Sequence, residues 1–131
     1  MQNQLMPYLI FPGTCRRALE FYNECTGGEV AFLQTFAESP LQIDEDHSEL
    51  VFNAEFHIGP ARFRASDNLP PHKLNQGDNF SLFLTFPDQE RQKATYTKLA
   101  EGGQVIMPLE GPFGMLRDKF GIQWMLVFSP E

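Results

Sequence analysis

Glu55, His57, Arg62 and Arg64 are the side chains best suited to chemistry, and they stand close together in the chain. A carboxylate and an imidazole two residues apart can exchange a proton when a neighbour tunes either one. Two guanidiniums can grip a carboxylate or phosphate through their planar forks of donors. Their spacing also says how they are held. Phe52, Ala54, Phe56 and Ile58 alternate with Asn53, Glu55 and His57, the period of a strand. A two-residue turn at Gly59-Pro60 sets Ile58 against Ala61, His57 against Arg62, Phe56 against Phe63 and Glu55 against Arg64. Every apolar pair then shares one face and every polar pair the other, whereas a slip of one residue would mix them. The polar face carries Asn53, Glu55, His57, Arg62, Arg64 and Ser66. Read without function, it is a cross-strand ladder on a wet face, at roughly 0.2–1 kcal/mol per pair. Glu55 and His57 are the weak candidates for catalysis. They could also hold a cation with His47 or Glu49, but two arginines beside them would repel a divalent ion, and the ladder is preferred.

Other reactive residue types have simpler explanations. Cys15 and Cys25 fall on one expected helix, ten residues and about 15 Å apart, beyond disulfide reach. Cys15 near a helix start could be a nucleophile, but no His or Asp adjoins it in sequence, and a small buried hydrophobe is the preferred reading. Asp44, Glu45 and Asp46 match no calcium loop and read as solvated loop.

The elements that position these residues come as two copies. Residues 18–30 (ALEFYNECTGGEV) and 93–105 (KATYTKLAEGGQV) align under a shift of 75. That shift matches Gly27-Gly28 with Gly102-Gly103, sets Phe21 against Tyr96, and places Leu9, Phe11 and Pro12 against Leu84, Phe86 and Pro87. The period is too long for a solenoid and indicates a duplicated module. In the first copy a strand over 5–11 precedes a helix with Thr14 as its cap, stopped by the Gly pair. A strand over 29–36, an acidic loop over 37–48 and the polar hairpin follow. In the second copy a strand over 79–86 leads to a helix over 88–101, a strand over 104–109, and a hairpin through FGMLRDKFGIQWMLVF. Its last strand puts Ile122, Trp124, Leu126 and Phe128 on one face, with Gln123, Met125 and Val127 on the other. The expectation is an α+β domain of eight strands and two helices, the helices on one sheet face. It is a single domain over 1–131: module one at 4–67, linker 68–77, module two at 78–129.

Composition bounds the function. A chain of 131 residues can bury about two thirds of its unfolded surface. Among its aromatics 13 are Phe, against 3 Tyr and 1 Trp, which suits a strand-rich interior. The net charge of -7 argues against nucleic acid or anionic membrane as partners. No apolar run is long enough to span a bilayer and no leader is recognisable, so a cytoplasmic location is expected.

PYLIFPGTCRRALEFY near the start, the Gly-Gly after its helix, and FGMLRDKFGIQWM near the end resemble the PhnB-like branch of the vicinal oxygen chelate superfamily, which includes glyoxalases, extradiol dioxygenases and bleomycin-resistance proteins. The resemblance covers nearly the whole chain. It implies paired βαβββ modules whose mixed sheet curls into a cup with helices outside, completed by a homodimer. In metal-dependent relatives the cup holds a divalent ion through the first and last strands of each module. Carried onto this sequence, those positions fall near Pro7, near Phe63 or Arg64, near Leu82 and near Met125, with Met6, Tyr8, Ser81, Phe83 and Trp124 as neighbours. None is His, Asp, Glu or Cys, the usual donors, so neither a metal nor another cofactor is expected.

The resemblance thus implies a metal-free cup that binds a small molecule, lined by Tyr8, Asn53, Arg62, Arg64, Phe83, Gln123 and Met125. Two alternatives stay open. One is a divergent metal-dependent lyase, isomerase or dioxygenase, or a metal-free proton-transfer catalyst. The other is a non-catalytic interaction domain whose cup is packed. PhnB-like proteins are also linked by name to phosphonate metabolism and methyl transfer, but no Gly-rich nucleotide loop stands between a strand and a helix here.

Overall fold

The computed structural model describes residues 2–130 and divides the chain into two compact units, Met1–Asn75 and Gln76–Glu131. In the first, β1 (Tyr8–Phe11), α1 (Cys15–Thr26), β2 (Glu29–Thr35), β3 (Val51–Ile58) and β4 (Ala61–Asp67) form a four-stranded sheet in the order β1-β4-β3-β2. The second repeats the plan with β5 (Leu82–Phe86), α2 (Gln89–Ala100), β6 (Gln104–Glu110), β7 (Phe113–Arg117) and β8 (Gln123–Phe128), ordered β5-β8-β7-β6. Each sheet is mixed: its first and last strands pair in parallel and the rest antiparallel. The fold is α+β, two βαβββ modules, as expected. Residues 68–81 carry no helix or strand, and one short 3-10 turn, Glu45–His47, lies in the acidic loop.

Each helix covers one face of its own sheet. Leu9 and Phe11 of β1, Ala54 and Phe56 of β3, and Phe63 and Ala65 of β4 are buried beneath Ala18, Leu19, Tyr22 and Cys25 of α1. The Tyr22 ring meets Phe63 edge-on at 6.1 Å and Phe56 at 6.4 Å, while Phe56 and Phe63 stack at 5.3 Å. Such pairs add to area burial because ring edges and faces carry opposite partial charge. In the second module Tyr96 and Leu99 of α2 lie buried with Phe86, Leu116, Trp124 and Leu126.

The two Gly pairs serve one purpose in both copies. Gly27 and Gly102 follow their helices at φ 75°, the left-handed conformation that ends a helix. A Cβ on Gly28 would strike the His57 carbonyl oxygen, and one on Gly103 the Arg117 carbonyl oxygen, so each strand starts against its neighbour's backbone.

Several details differ from the sequence-based expectations. The first strand begins at Tyr8 rather than residue 5, and the strand expected over 79–86 begins at Leu82. The expected strand over 29–36 ends at Thr35, and that over 104–109 extends to Glu110. Thr14 makes no side-chain cap bond. The α1 start is capped instead by the buried carboxylate of Asp67, whose Oδ1 accepts from the Cys15 amide at 2.9 Å and whose Oδ2 accepts from the Val51 amide at 2.9 Å. In packing, Tyr96 corresponds to Tyr22, not Phe21: both tyrosines are buried and Phe21 is half-buried. Between strand and helix stand Pro12, Gly13 and Thr14 in one copy but only Pro87 and Asp88 in the other, which moves the helix register by one.

Candidate functional site

The face of the first sheet turned away from α1 gathers the polar residues. The hairpin register is as expected: Ile58 opposite Ala61, His57 opposite Arg62, Phe56 opposite Phe63 and Glu55 opposite Arg64. Parallel pairing adds β1, with Tyr8 opposite Arg64 and Ile10 opposite Ser66. On the other side β2 sets Phe32 opposite Glu55 and Glu29 opposite His57. One row therefore crosses all four strands, Tyr8–Arg64–Glu55–Phe32.

Glu55 is the hub. Its Oε2 lies 2.6 Å from His57 Nε2 and 4.0 Å from Arg62 Nη1, and its Oε1 accepts from Arg64 Nε at 3.1 Å. The His57 hydrogen bond, then that of Arg64, holds its carboxyl below the usual carboxylate range, against a smaller desolvation effect. Glu55 is anionic at neutral pH and already engaged. The arginines are less committed. Arg62 has a half-exposed side chain, 53 %, and makes only its long approach to Glu55 among the described residues. Arg64 uses Nε alone, leaving its two terminal nitrogens without partners there. The Tyr8 hydroxyl has no partner among the described residues, and Tyr8, Ile10 and Phe32 form an exposed apolar border. With Glu29 at the register position next to His57, two guanidiniums meet two carboxylates, so the face is charge-balanced but Arg62 and Arg64 keep free donors.

Of the remaining ligand candidates, Asn53 shares β3 with Glu55 and the others lie in the second module. Asn53 is half-buried, its Oδ1 enclosed and without a partner among the described residues. In the second module Phe83, exposed, stands opposite Met125 on the face away from α2. Gln123 is buried and structurally occupied: its Nε2 donates to Ser81 Oγ at 2.7 Å and its Oε1 accepts from Arg117 Nη2 at 3.1 Å. The Asp118 carboxylate serves the FGMLRDKFGIQWM turn, accepting from the Phe120 and Ile122 amides and from Trp124 Nε1 at 2.9 Å. Much of that motif is hairpin scaffolding. Cys15 is buried, and desolvation followed by the charge of Asp67 pushes its thiol to about 12, which removes it as a nucleophile. Both cysteines are free thiols. A groove of about 470 Å³ on the helix side, between α1 and β2, includes Arg16, Glu20, Val30 and Leu33 in its lining. It lies across the sheet from the charged row and gathers no chemistry comparable with it. Sequence reasoning missed Ile10 and Phe32 as borders because the pairing of β1 and β2 is set far along the chain.

Comparison with known proteins fixes the family. A family model described as 3-demethylubiquinone-9 3-methyltransferase matches residues 3–127. The chain belongs to that family. Among solved structures, protein PA1353 from Pseudomonas aeruginosa is 32% identical with TM-score 0.88, covering 99% of this chain and 100% of its own. A PhnB protein from Bacillus cereus, titled a putative 3-demethylubiquinone-9 3-methyltransferase, is 26% identical with TM-score 0.81, covering 97% and 100%. The fosfomycin resistance protein FosX from Listeria monocytogenes shares the fold at 13% identity and TM-score 0.69, over 98% and 93%. The Bacillus cereus relative supports the PhnB-like reading, and FosX shows that its fold is shared. The divalent ion of that fold meets unsuitable donors here. Its carried-over positions hold Tyr8 beside Arg64 and Phe83 beside Met125. Guanidinium repels a cation, and neither phenyl nor thioether suits a hard one. Among the described residues no three His, Cys, Asp or Glu side chains gather as a metal set.

Proposed function

We propose that this PhnB-like protein binds a small organic anion, without a metal, on the open face of its first module. One observation carries the reading: Arg62 and Arg64 flank Glu55, itself shared with His57, and keep unengaged donors on an exposed face. A carboxylate, phosphate or phosphonate would take the terminal nitrogens of Arg64 and the Arg62 fork, with the Tyr8 hydroxyl beside them. Tyr8, Ile10 and Phe32 would cover an apolar body. Asn53 is a wall residue in this account, and Phe83, Gln123 and Met125 belong to the second module's face. The relatives' names speak of methyl transfer and fosfomycin resistance; the first attaches to no nucleotide loop in this sequence, while fosfomycin is a small phosphonate compatible with an arginine pair. A homodimer and a cytoplasmic setting fit this reading and are proposed with it. No helix of the described residues is long and apolar enough to cross a membrane.

A second reading rests on the 2.6 Å contact between His57 and Glu55. In it His57 moves a proton on the bound anion while Glu55 fixes the ring. Titration of the full chain with methylphosphonate, benzoate and tetramethylammonium, followed by amide NMR, separates these classes. Anions should shift Tyr8 and Arg64, and Arg64→Ala should weaken them about 10–100-fold, the worth of a charged hydrogen bond. Preference for the cation, or an unchanged affinity in the variant, overturns the proposal. One tightly held divalent ion per chain in purified protein overturns its metal-free part.

A further inference from the structure

The second module carries the register equivalent of the charged row, built from different chemistry. In module one the row reads Tyr8, Arg64, Glu55, Phe32 across β1, β4, β3 and β2. In module two the same positions across β5, β8, β7 and β6 read Phe83, Met125, Met115, Met107. Even the bulge before the last member is shared, between Val30 and Phe32 in one sheet and between Val105 and Met107 in the other. The chain has five methionines, two of them Met1 and Met6; the other three stand side by side in this row.

We infer that Met107, Met115 and Met125 form a thioether site for a soft monovalent cation, Cu(I) or Ag(I). Directly opposed residues in neighbouring strands point to the same side of a sheet. Leu116 and Trp124, next along β7 and β8, are fully buried toward α2, so Met115 and Met125 project from the other face. Strands lie about 4.8 Å apart, so the outer two methionines are anchored about 10 Å from each other with Met115 midway. Each sulphur rides on a flexible unbranched stem and can lean toward the centre. Met107 is half-exposed and Met115 and Met125 half-buried, which leaves the row an approach from solvent. Thioethers select soft cations and ignore magnesium, calcium or manganese. Phe83 closes the row with an aromatic ring beside Met125, a further favourable neighbour for a cation. The row lies wholly within the second module, and its assignment does not depend on the arginine pair.

The competing role is packing, in which methionine merely fills space. The experiment uses the full chain with Cys15→Ala and Cys25→Ala, so that no thiol competes, titrated with silver nitrate in chloride-free buffer. The 13C-labelled methionine methyl signals are followed, and Cu(I) is then measured under ascorbate against a chelator. One Ag(I) per chain should move the Met107, Met115 and Met125 methyls together and leave Met6 in place. Met115→Leu, a volume-conserving change that a packing role tolerates, should weaken binding about ten-fold or more. Met107→Leu serves as a second, more exposed variant. Silver bound without movement of the three methyls, an unaltered affinity in both leucine variants, or no binding, each overturns the assignment.

Discussion

Asp67 offers the sharpest test of how the first module is held together. It ends β4, three residues beyond Arg64, and its side chain is 4 % exposed. Its two oxygens accept from the amides of Cys15 and Val51, so one carboxylate ties the first turn of α1 to the start of β3. Replacement by Ala strands two buried donors, each costing about 1–3 kcal/mol, so Asp67→Ala should lose about 2–6 kcal/mol. Asp67→Asn keeps one carbonyl oxygen but turns an NH2 toward the other amide, and should lose about half as much. For a chain of this length each kcal/mol lowers Tm by about 4 °C. Urea unfolding of both variants, with the slope checked for constancy, reads the difference. Amide exchange at Cys15 and Val51 should accelerate in the Ala variant above the exchange of β8 amides. Equal losses for Asn and Ala, or a loss below about 1 kcal/mol for Ala, would refute the two-bond account. Thr14→Ala is the control: its hydroxyl caps nothing, and it should be nearly neutral.

Two further predictions follow from the same geometry. Glu55 has a folded pKa below its ordinary value of 4.5, so its contribution is complete above that value and disappears as pH falls through the folded pKa. The urea midpoint of wild type should exceed that of Glu55→Gln at pH 6 and converge with it toward pH 3; a gap independent of pH refutes the linkage. Glu38, held low by Thr35, adds to the same acid limb in both proteins. Gly28→Ala and Gly103→Ala force a methyl against strand backbone and should each cost about 1–3 kcal/mol, measured by thermal melts; a neutral result at either would show that the strand can shift at no cost.

The hairpin of β3 and β4 was legible because alternation continues without interruption on both sides of a two-residue turn, which leaves one register that separates polar from apolar. The duplication was legible through its glycines, since the close approach of Gly28 and Gly103 to strand carbonyls admits no other residue. What could not be read depends on distant partners or on irregularities. The Asp67 cap reaches across 52 positions. The offset of Tyr96 from Phe21 follows from a loop one residue shorter, a change invisible to a constant shift. The thioether row is masked by the register irregularity between Val105 and Met107. Gln123 looked free because nothing in its own strand announces that Ser81 and Arg117 will occupy it.

The two modules, compared with each other, separate folding from function within one chain. On the helix-facing sides the same roles recur: Leu9 with Leu84, Phe11 with Phe86, Tyr22 with Tyr96, and Phe56 with Leu116 at equivalent registers. A buried face must stay apolar to hold its helix, so duplication leaves it little freedom. The opposite faces have no such obligation to their own helix, and there, beyond the aromatic pair Tyr8 and Phe83, the copies diverge, Arg64 standing where Met125 does and Glu55 where Met115 does. Divergence by simple drift would scatter assorted polar residues over both open faces. Instead one row has collected charge of both signs and the other three of the chain's five methionines. Each row spans four strands, and each would be costly to assemble by chance in the middle of a sheet. That segregation is why we assign a hard anion to one module and a soft cation to the other, with the shared backbone as the frame for both.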